Sequence, residues 1–254
     1  MKQLFIVGAQ RSGSTYLYRV LDEHPEIFMA KPIRPEPKFF LNEELYLGGK
    51  SYYENKYFSK LSRDVTCCGE KSTSYIESEL AAVRLKEYYP EAKILVILRD
   101  PVQRALSNYY FSVENGIENL PLEQALLAEE QRLNDSSYSS SVNPYAYKRR
   151  GHYMNYLKVY FRHFPREQVK ILILEELLED KGRFNALFKW LGVSEVSTPK
   201  SSREVVNSSN RPIEQGASIR LLRSLVSYYE ESVKELEVEL GRRLHIWRDQ
   251  WERL

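Results

Sequence analysis

The chain has 254 residues, 43% of them hydrophobic and 28% charged. That is ordinary globular usage, long enough to bury a core without disulfides or structural metal, and it excludes disordered, collagen-like and coiled-coil classes. Basic and acidic side chains nearly cancel, 37 against 35, so the chain lacks the excess positive charge of a general nucleic-acid binder, and any anion recognition must come from a local cluster.

From the N-terminus, Leu4 to Val7 reads as a short buried strand, too short for a signal peptide or a membrane span. A helix over Thr15 to Glu23 follows, stopping at His24-Pro25. A fourth strand is placed around Val65 to Gly69. The adjacent Cys67 and Cys68 are poor disulfide partners and too few for zinc, so they read as buried free thiols in a reducing compartment. Ser78 to Tyr89 is helical up to Pro90. Lys93 to Leu98 and Val169 to Leu174 are continuous apolar runs, the pattern of a parallel sheet covered on both faces.

The helix after Leu98 has Asp100 as its cap and Pro101 at its first position, with Ala105, Leu106, Tyr109 and Val113 on one stripe. Asn134 to Tyr147 and Ser194 to Gln215 are Ser-rich and read as loops over one face. His152 to His163 and Arg183 to Leu191 are helices, the second ending at Gly192. A long last helix carries Ile219, Leu222, Val226, Tyr229, Val233, Leu236 and Leu240 as a core-facing stripe. Strands alternating with helices predict an α/β fold, a single domain over residues 1–254 with a central, mostly parallel sheet flanked by helices. No window reaches the length of an apolar span, and the expectation is a soluble, cytoplasmic protein. The 19 tyrosines suit either sugar and nucleotide pockets or a Tyr-rich surface.

The first strand runs into Gly8-Ala9-Gln10-Arg11-Ser12-Gly13-Ser14-Thr15 and then a helix. Two glycines allow a tight path, so the amides of residues 11 to 15 can face one anion at the positive end of the helix. The glycine spacing is that of the GxxxxGK[ST] nucleotide loop, but Ser14 stands where the Lys belongs and Arg11 is the only cation inside the loop. A kinase needs that Lys and a magnesium site, and the later strand ends in Arg99 rather than an acid. Arg99 opens Arg99-Asp100-Pro101-Val102-Gln103-Arg104-Ala105-Leu106-Ser107-Asn108-Tyr109 at the carboxyl end of a strand, where open α/β sheets place ligands. Ser107 falls two turns into the next helix. A guanidinium and a hydroxyl together suit a second, separate phosphate. Arg104 reads as either a third member or a salt-bridged surface residue.

Together these motifs resemble the sulfotransferases that use 3′-phosphoadenosine-5′-phosphosulfate (PAPS). The resemblance implies that the loop, through Arg11, Ser12, Gly13, Ser14 and Thr15, takes the 5′-phosphosulfate and that Arg99 and Ser107 take the 3′-phosphate. It implies a P-loop-like sulfotransferase fold, sulfuryl transfer without a metal, and adenosine 3′,5′-bisphosphate as the product. Arg34-Pro35-Glu36-Pro37-Lys38-Phe39-Phe40 is similar to the segment carrying the catalytic glutamate in heparan-type carbohydrate sulfotransferases and related bacterial enzymes. Gly69-Glu70-Lys71-Ser72-Thr73-Ser74-Tyr75 resembles their Glu-Lys-Thr/Ser segment, and Arg150-Gly151-His152-Tyr153 with Tyr160 to Pro165 resembles their helix ahead of a core strand. The likeness covers residues 3 to about 180. One departure is Arg11, where the eukaryotic enzymes carry Lys. Arg keeps the charge but cannot donate a proton at neutral pH.

On this reading Glu36, flanked by Pro35, Pro37, Phe39 and Phe40, is the general base. Arg11 and Lys71 stabilise charge on the leaving group. Lys71 is read either that way or as the partner of Glu70. His24 is a rival base or merely a helix end, and His152 a weaker rival. Tyr153 reads as an adenine-pocket or a core residue, and Arg203 to Arg211 as a cofactor-covering loop. The acceptor implied is a hydroxyl, less readily an amine, of a carbohydrate, glycolipid or secondary metabolite. A nucleotide kinase and a non-catalytic nucleotide-binding module are the competing functions.

Overall fold

The computed structural model describes residues 1–62, 64–134, 143–196 and 216–254. The Arg203 to Arg211 loop reading, and most of the Ser-rich stretch after Asn134, lie outside them. The chain divides into two compact units, one of residues 1–98 with 157–206 and one of residues 99–156 with 207–254.

The first unit holds the sheet. Its strands are β1 (Lys2–Gly8), β2 (Ile27–Met29), β3 (Cys67–Lys71), β4 (Lys93–Leu98) and β5 (Val169–Ile173), in the order β2-β3-β1-β4-β5. Every pairing is parallel, as the continuous apolar runs require. The placement of the strand near residue 65 shifts to 67–71, and β2 joins as an edge strand that the sequence did not announce. β1 lies at the centre. Connections leave it to one side for β2 and β3 and to the other for β4 and β5, and such a reversal of strand order is where open α/β sheets place ligands, outside the carboxyl ends.

Alternation along the strands sorts the side chains into two cores. Leu4, Ile6, Leu95, Ile97 and Leu172 pack with helices α1 (Ser14–Asp22), α8 (Leu174–Glu179) and α9 (Arg183–Leu191). Phe5 points the other way, 5.7 Å from the ring of Phe40 and 5.6 Å from that of Tyr89. That second layer contains α2 (Glu43–Leu47), α3 (Gly49–Phe58), α4 (Glu79–Tyr88) and the later residues of α7 (Tyr153–His163). Ser78 caps α4, its Oγ accepting from Ala81 N at 3.2 Å, and α9 stops at the predicted Gly192, φ 67°. Cys67 and Cys68 are buried and free, and burial pushes their thiols up to about 11 and about 12.

The second unit is helical: α5 (Pro101–Glu114), α6 (Leu122–Leu133), the start of α7, α10 (Ile219–Leu240) and α11 (His245–Trp251). Asp100 Oδ1 caps α5 by accepting from Gln103 N at 3.0 Å, and its Oδ2 accepts from Trp251 Nε1 at 2.7 Å. The α10 stripe holds at Leu222, Tyr229, Val233 and Leu236, but Ile219 is 61% exposed; likewise Val113 on α5 is 41% exposed. Both sit at helix ends, where the stripe runs past its partners. The tyrosines correct the surface reading, since Tyr53, Tyr75, Tyr147, Tyr153, Tyr160 and Tyr229 are all fully buried. Their hydroxyls find partners inside, such as Tyr160 on Tyr75 O at 2.8 Å and Tyr229 on Lys148 O at 2.8 Å. Among the described residues no helix is long and apolar enough to cross a membrane.

Candidate active site

The glycine loop follows β1 directly. Ala9 N donates to Ile97 O at 2.8 Å, and Gln10 Nε2 to Glu77 Oε1 at 3.0 Å, so neighbouring elements fix its first half. Gly8 is needed because a Cβ there would come within 2.7 Å of Ile76 Cγ2. Arg11 takes φ 64° and Gly13 φ 86°, and this pair of left-handed residues turns the chain into α1. Gly13 is the N-cap and so offers no side chain to the first helical amides, which leaves that end open to an external anion.

Ser12 is completely buried, and its Oγ has no hydrogen-bond partner among the described residues. A buried hydroxyl without a partner costs stability unless a ligand completes it. With an uncapped helix end, no acid in the first turn of α1, and Ser14 and Thr15 leading the helix, the donor set fits a phosphate or sulfate ester. Among the described residues no group of three or more His, Cys, Asp or Glu side chains is arranged to hold a metal ion.

Beside this loop lies the Glu36 cluster. Lys71 is the last residue of β3 and pairs in register with Ile6 of β1, and Ser72 N donates to Ile6 O at 3.1 Å. The segment after β2 runs along the same edge, because Ala30 N donates to Gly69 O at 2.7 Å and Lys38 N to Ser72 Oγ at 2.9 Å. Between those anchors Glu36 reaches Lys71 Nζ in an ion pair, and its Oε2 accepts from Thr73 N at 2.9 Å. Thr73 Oγ1 lies 3.1 Å from both carboxylate oxygens. Lys71 thus pairs with Glu36, a partner that neither sequence reading named. Glu70 points to the opposite side of β3, as strand alternation demands.

Phe39 and Phe40, expected to flank Glu36, instead turn into an aromatic cluster with Tyr53, their rings 4.7 and 5.2 Å from it. Glu36 is held by a cation and by donors. His24 is only 2% exposed; its Nδ1 accepts from Glu26 N at 3.1 Å and its Nε2 bonds Ser194 O at 2.8 Å. That arrangement makes Nε2 the protonated nitrogen and leaves no lone pair for a base, so His24 finishes a helix. Thr73, which sequence reasoning missed, joins Lys71 on Glu36. The signal for it is the run of polar residues Glu70 to Thr73 at a strand's carboxyl end.

In the second unit, Arg99 is half-buried, its carbonyl accepting from Tyr153 OH at 2.6 Å, while Ser107 is buried on α5. Tyr153 is 1% exposed and is a core residue beside Trp247. Arg104 is fully buried, which corrects the surface alternative: its Nη2 donates to Tyr147 O, and Nη1 lies 3.5 Å from Asn108 Oδ1. His152 sits between the rings of Tyr228 and Tyr229, where burial lowers its pKa.

Residues 1–219 match the model of the sulfotransferase domain family, and the chain belongs to that family. It is 27% identical over 203 residues to human heparan sulfate glucosamine 3-O-sulfotransferase 3B1, across 79% of this chain and 48% of that protein. It is 29% identical over 203 residues to the bifunctional heparan sulfate N-deacetylase/N-sulfotransferase 1 of Caenorhabditis briggsae, across 77% of this chain and 23% of that protein. The chain therefore spans less than half the length of these curated relatives. A solved sulfotransferase from Alicyclobacillus acidocaldarius matches with a TM-score of 0.80 at 29% identity, covering 98% of this chain and 99% of that one. A mouse sulfotransferase complexed with PAP shares the fold, with a TM-score of 0.56 at 15% identity over 93% of this chain and 84% of that one.

Proposed function

We propose that the chain acts as one catalytic domain that moves a sulfuryl group from PAPS to a hydroxyl, less readily an amine, of a carbohydrate, glycolipid or secondary metabolite. The observation that carries this reading is the meeting of Glu36 with Lys71 and Thr73 beside a glycine loop whose buried Ser12 hydroxyl has no partner among the described residues. The names of the relatives, which act on heparan sulfate, favour a carbohydrate acceptor.

PAPS, when bound, supplies an activated sulfuryl group on a bisphosphate leaving group. The amides of residues 11 to 15, the Ser12, Ser14 and Thr15 hydroxyls and Arg11 surround the 5′ end and stabilise the charge that grows there. Arg99 and Ser107 hold the 3′-phosphate, the feature that separates this donor from ATP. Glu36 takes the acceptor's proton as it attacks. Thr73 orients the carboxylate with two donors, and Lys71 moves its charge from Glu36 toward the leaving group. Holding base and donor in one geometry supplies much of the acceleration. The buried free thiols support a reducing, cytoplasmic setting.

The test is transfer from labelled PAPS to a panel of desulfated heparan oligosaccharides, glycolipids and simple alcohols, with mass analysis of the product. One added sulfate on an acceptor, insensitive to chelators, is expected. Failure of PAPS and adenosine 3′,5′-bisphosphate to bind, or stronger competition by ATP with magnesium, would overturn the reading.

A further inference from the structure

The Glu70 carboxyl is 1% exposed at the end of β3, beneath the surface that carries Lys71. An acid so placed would be costly unless fully satisfied, and it is: Tyr53 OH donates to Oε2, Ser72 Oγ donates to Oε1 at 2.7 Å, and Tyr75 hydroxyl bonds it as well. Two of those hydroxyls lead onward. Ser72 Oγ accepts from Lys38 N at 2.9 Å, and Tyr75 OH accepts from Phe40 N at 3.2 Å. Lys38 and Phe40 lie immediately beyond Glu36.

The chain of donors has one direction. A hydroxyl has a single hydrogen, and giving it to Glu70 leaves the oxygen as an acceptor for a backbone N–H. The Glu70 oxygens, by accepting those hydrogens, therefore set both bonds that clamp the Glu36 segment. Lys38 needs such a clamp, since it holds φ 48°, a left-handed conformation unfavourable for a side-chain-bearing residue. We propose that Glu70 is a positioning residue for the transfer reaction, fixing the Glu36 segment through Ser72 and Tyr75 while touching neither donor nor acceptor. The proposal rests on Glu36 being the base. Burial pushes the Glu70 carboxyl above the usual carboxylate range and the charge of Glu36 adds to this, while the three hydroxyl donors offset part of the rise.

Glu70→Gln keeps the shape but adds an N–H donor that opposes the Tyr53 or Ser72 hydroxyl. Ser72→Ala removes the hydroxyl that links Glu70 to Lys38 and leaves the Tyr53 and Tyr75 bonds to Glu70 in place. With labelled PAPS and a desulfated heparan oligosaccharide as probe, each should lower kcat by about 10²-fold, the cost of a misplaced reacting group. KM for PAPS and the affinity for adenosine 3′,5′-bisphosphate should stay within about twofold. Amide exchange should quicken in the 36–41 peptide, and Ser72→Thr should recover most of the rate. Should Glu70→Gln not fold, Ser72→Ala and Ser72→Thr decide alone. Unchanged kcat, or cofactor affinity falling in step with it, overturns the proposal. Glu36→Ala run alongside separates the two claims: if it stays active the base assignment falls and takes this inference with it. If it is inactive while Ser72→Ala is unimpaired, only the positioning role falls.

Discussion

Lys71 Nζ forms an ion pair with Glu36 Oε1, and both side chains are sheltered, with 3% and 16% of their surface exposed. The pair joins the end of β3 to the segment that follows β2. In the proposed mechanism Glu36 is the base, and removing it should leave the glycine loop intact. Glu36→Ala is expected to cut transfer by about 10²–10⁴-fold, the range of general base catalysis. Calorimetric affinity for adenosine 3′,5′-bisphosphate should hardly change. A variant that keeps its rate would remove Glu36 from the mechanism.

Arg99→Ala should weaken adenosine 3′,5′-bisphosphate far more than adenosine 5′-phosphate. A hydrogen bond to a charged group contributes about 1.5–3 kcal/mol, so the first ligand should lose affinity by roughly 10- to 100-fold and the second by little. Equal losses for both would contradict the 3′-phosphate assignment.

Gly13 holds φ 86°, and a Cβ added there would lie 2.6 Å from Leu174 Cδ1. Gly13→Ala therefore meets two penalties. The left-handed backbone alone costs about 1–2 kcal/mol for an L-residue, and the contact with α8 adds to it. Thermal unfolding should move down by several degrees and cofactor affinity should drop. Adding Leu174→Ala should relieve the contact but leave the backbone cost, so only partial recovery is expected. A single variant as stable as the parent would show that the loop takes another path.

Glu118 tests the second unit. It is 4% exposed, accepts from Arg132 Nη1 at 2.5 Å, from Tyr147 OH at 2.8 Å, and from Asn119 N and Leu120 N at 2.9 Å each. Burial alone would push its carboxyl up, but Arg132, Leu120 N and Tyr147 outweigh it and leave it below the usual carboxylate range. A folded-state pKa below the unfolded one adds stability above the ordinary carboxylate pKa, and that stability is lost as pH falls through the folded value. Glu118→Gln removes the buried charge that Arg132, 21% exposed, pairs with and should cost about 1.5–3 kcal/mol at neutral pH. The gap to the parent in denaturant unfolding should shrink toward pH 3. A gap that does not change with pH would contradict this account.

The site was partly legible in the sequence because parts of it are local. Strand, glycine loop and helix N-terminus follow one another along the chain, so Arg11 to Thr15 are placed by backbone geometry that the glycines and the apolar run already imply. The same holds for Asp100 and Pro101 opening α5. Buried parallel strands such as Lys93 to Leu98 also declare themselves, since both faces must be apolar.

Other features depend on contacts between segments distant in the chain, and no local pattern encodes these. β2 has three residues, too few to show a period, and exists as a strand because β3 lies beside it. α3 buries Tyr53, Tyr57 and Phe58 among rings supplied by other elements, so its pattern is not a clean stripe. Charge in a sequence does not say which opposite charge it will meet: Arg104 is buried on carbonyl partners, and Lys71 passes over its neighbour Glu70 for Glu36. The sequence by itself determined the buried parallel strands and the glycine loop that leads into α1, and it offered Arg11, Glu36, Lys71 and Arg99 as candidates for a site. Only the tertiary structure decided which of them meet, because burial and ion pairing depend on neighbours that folding brings together from far along the chain.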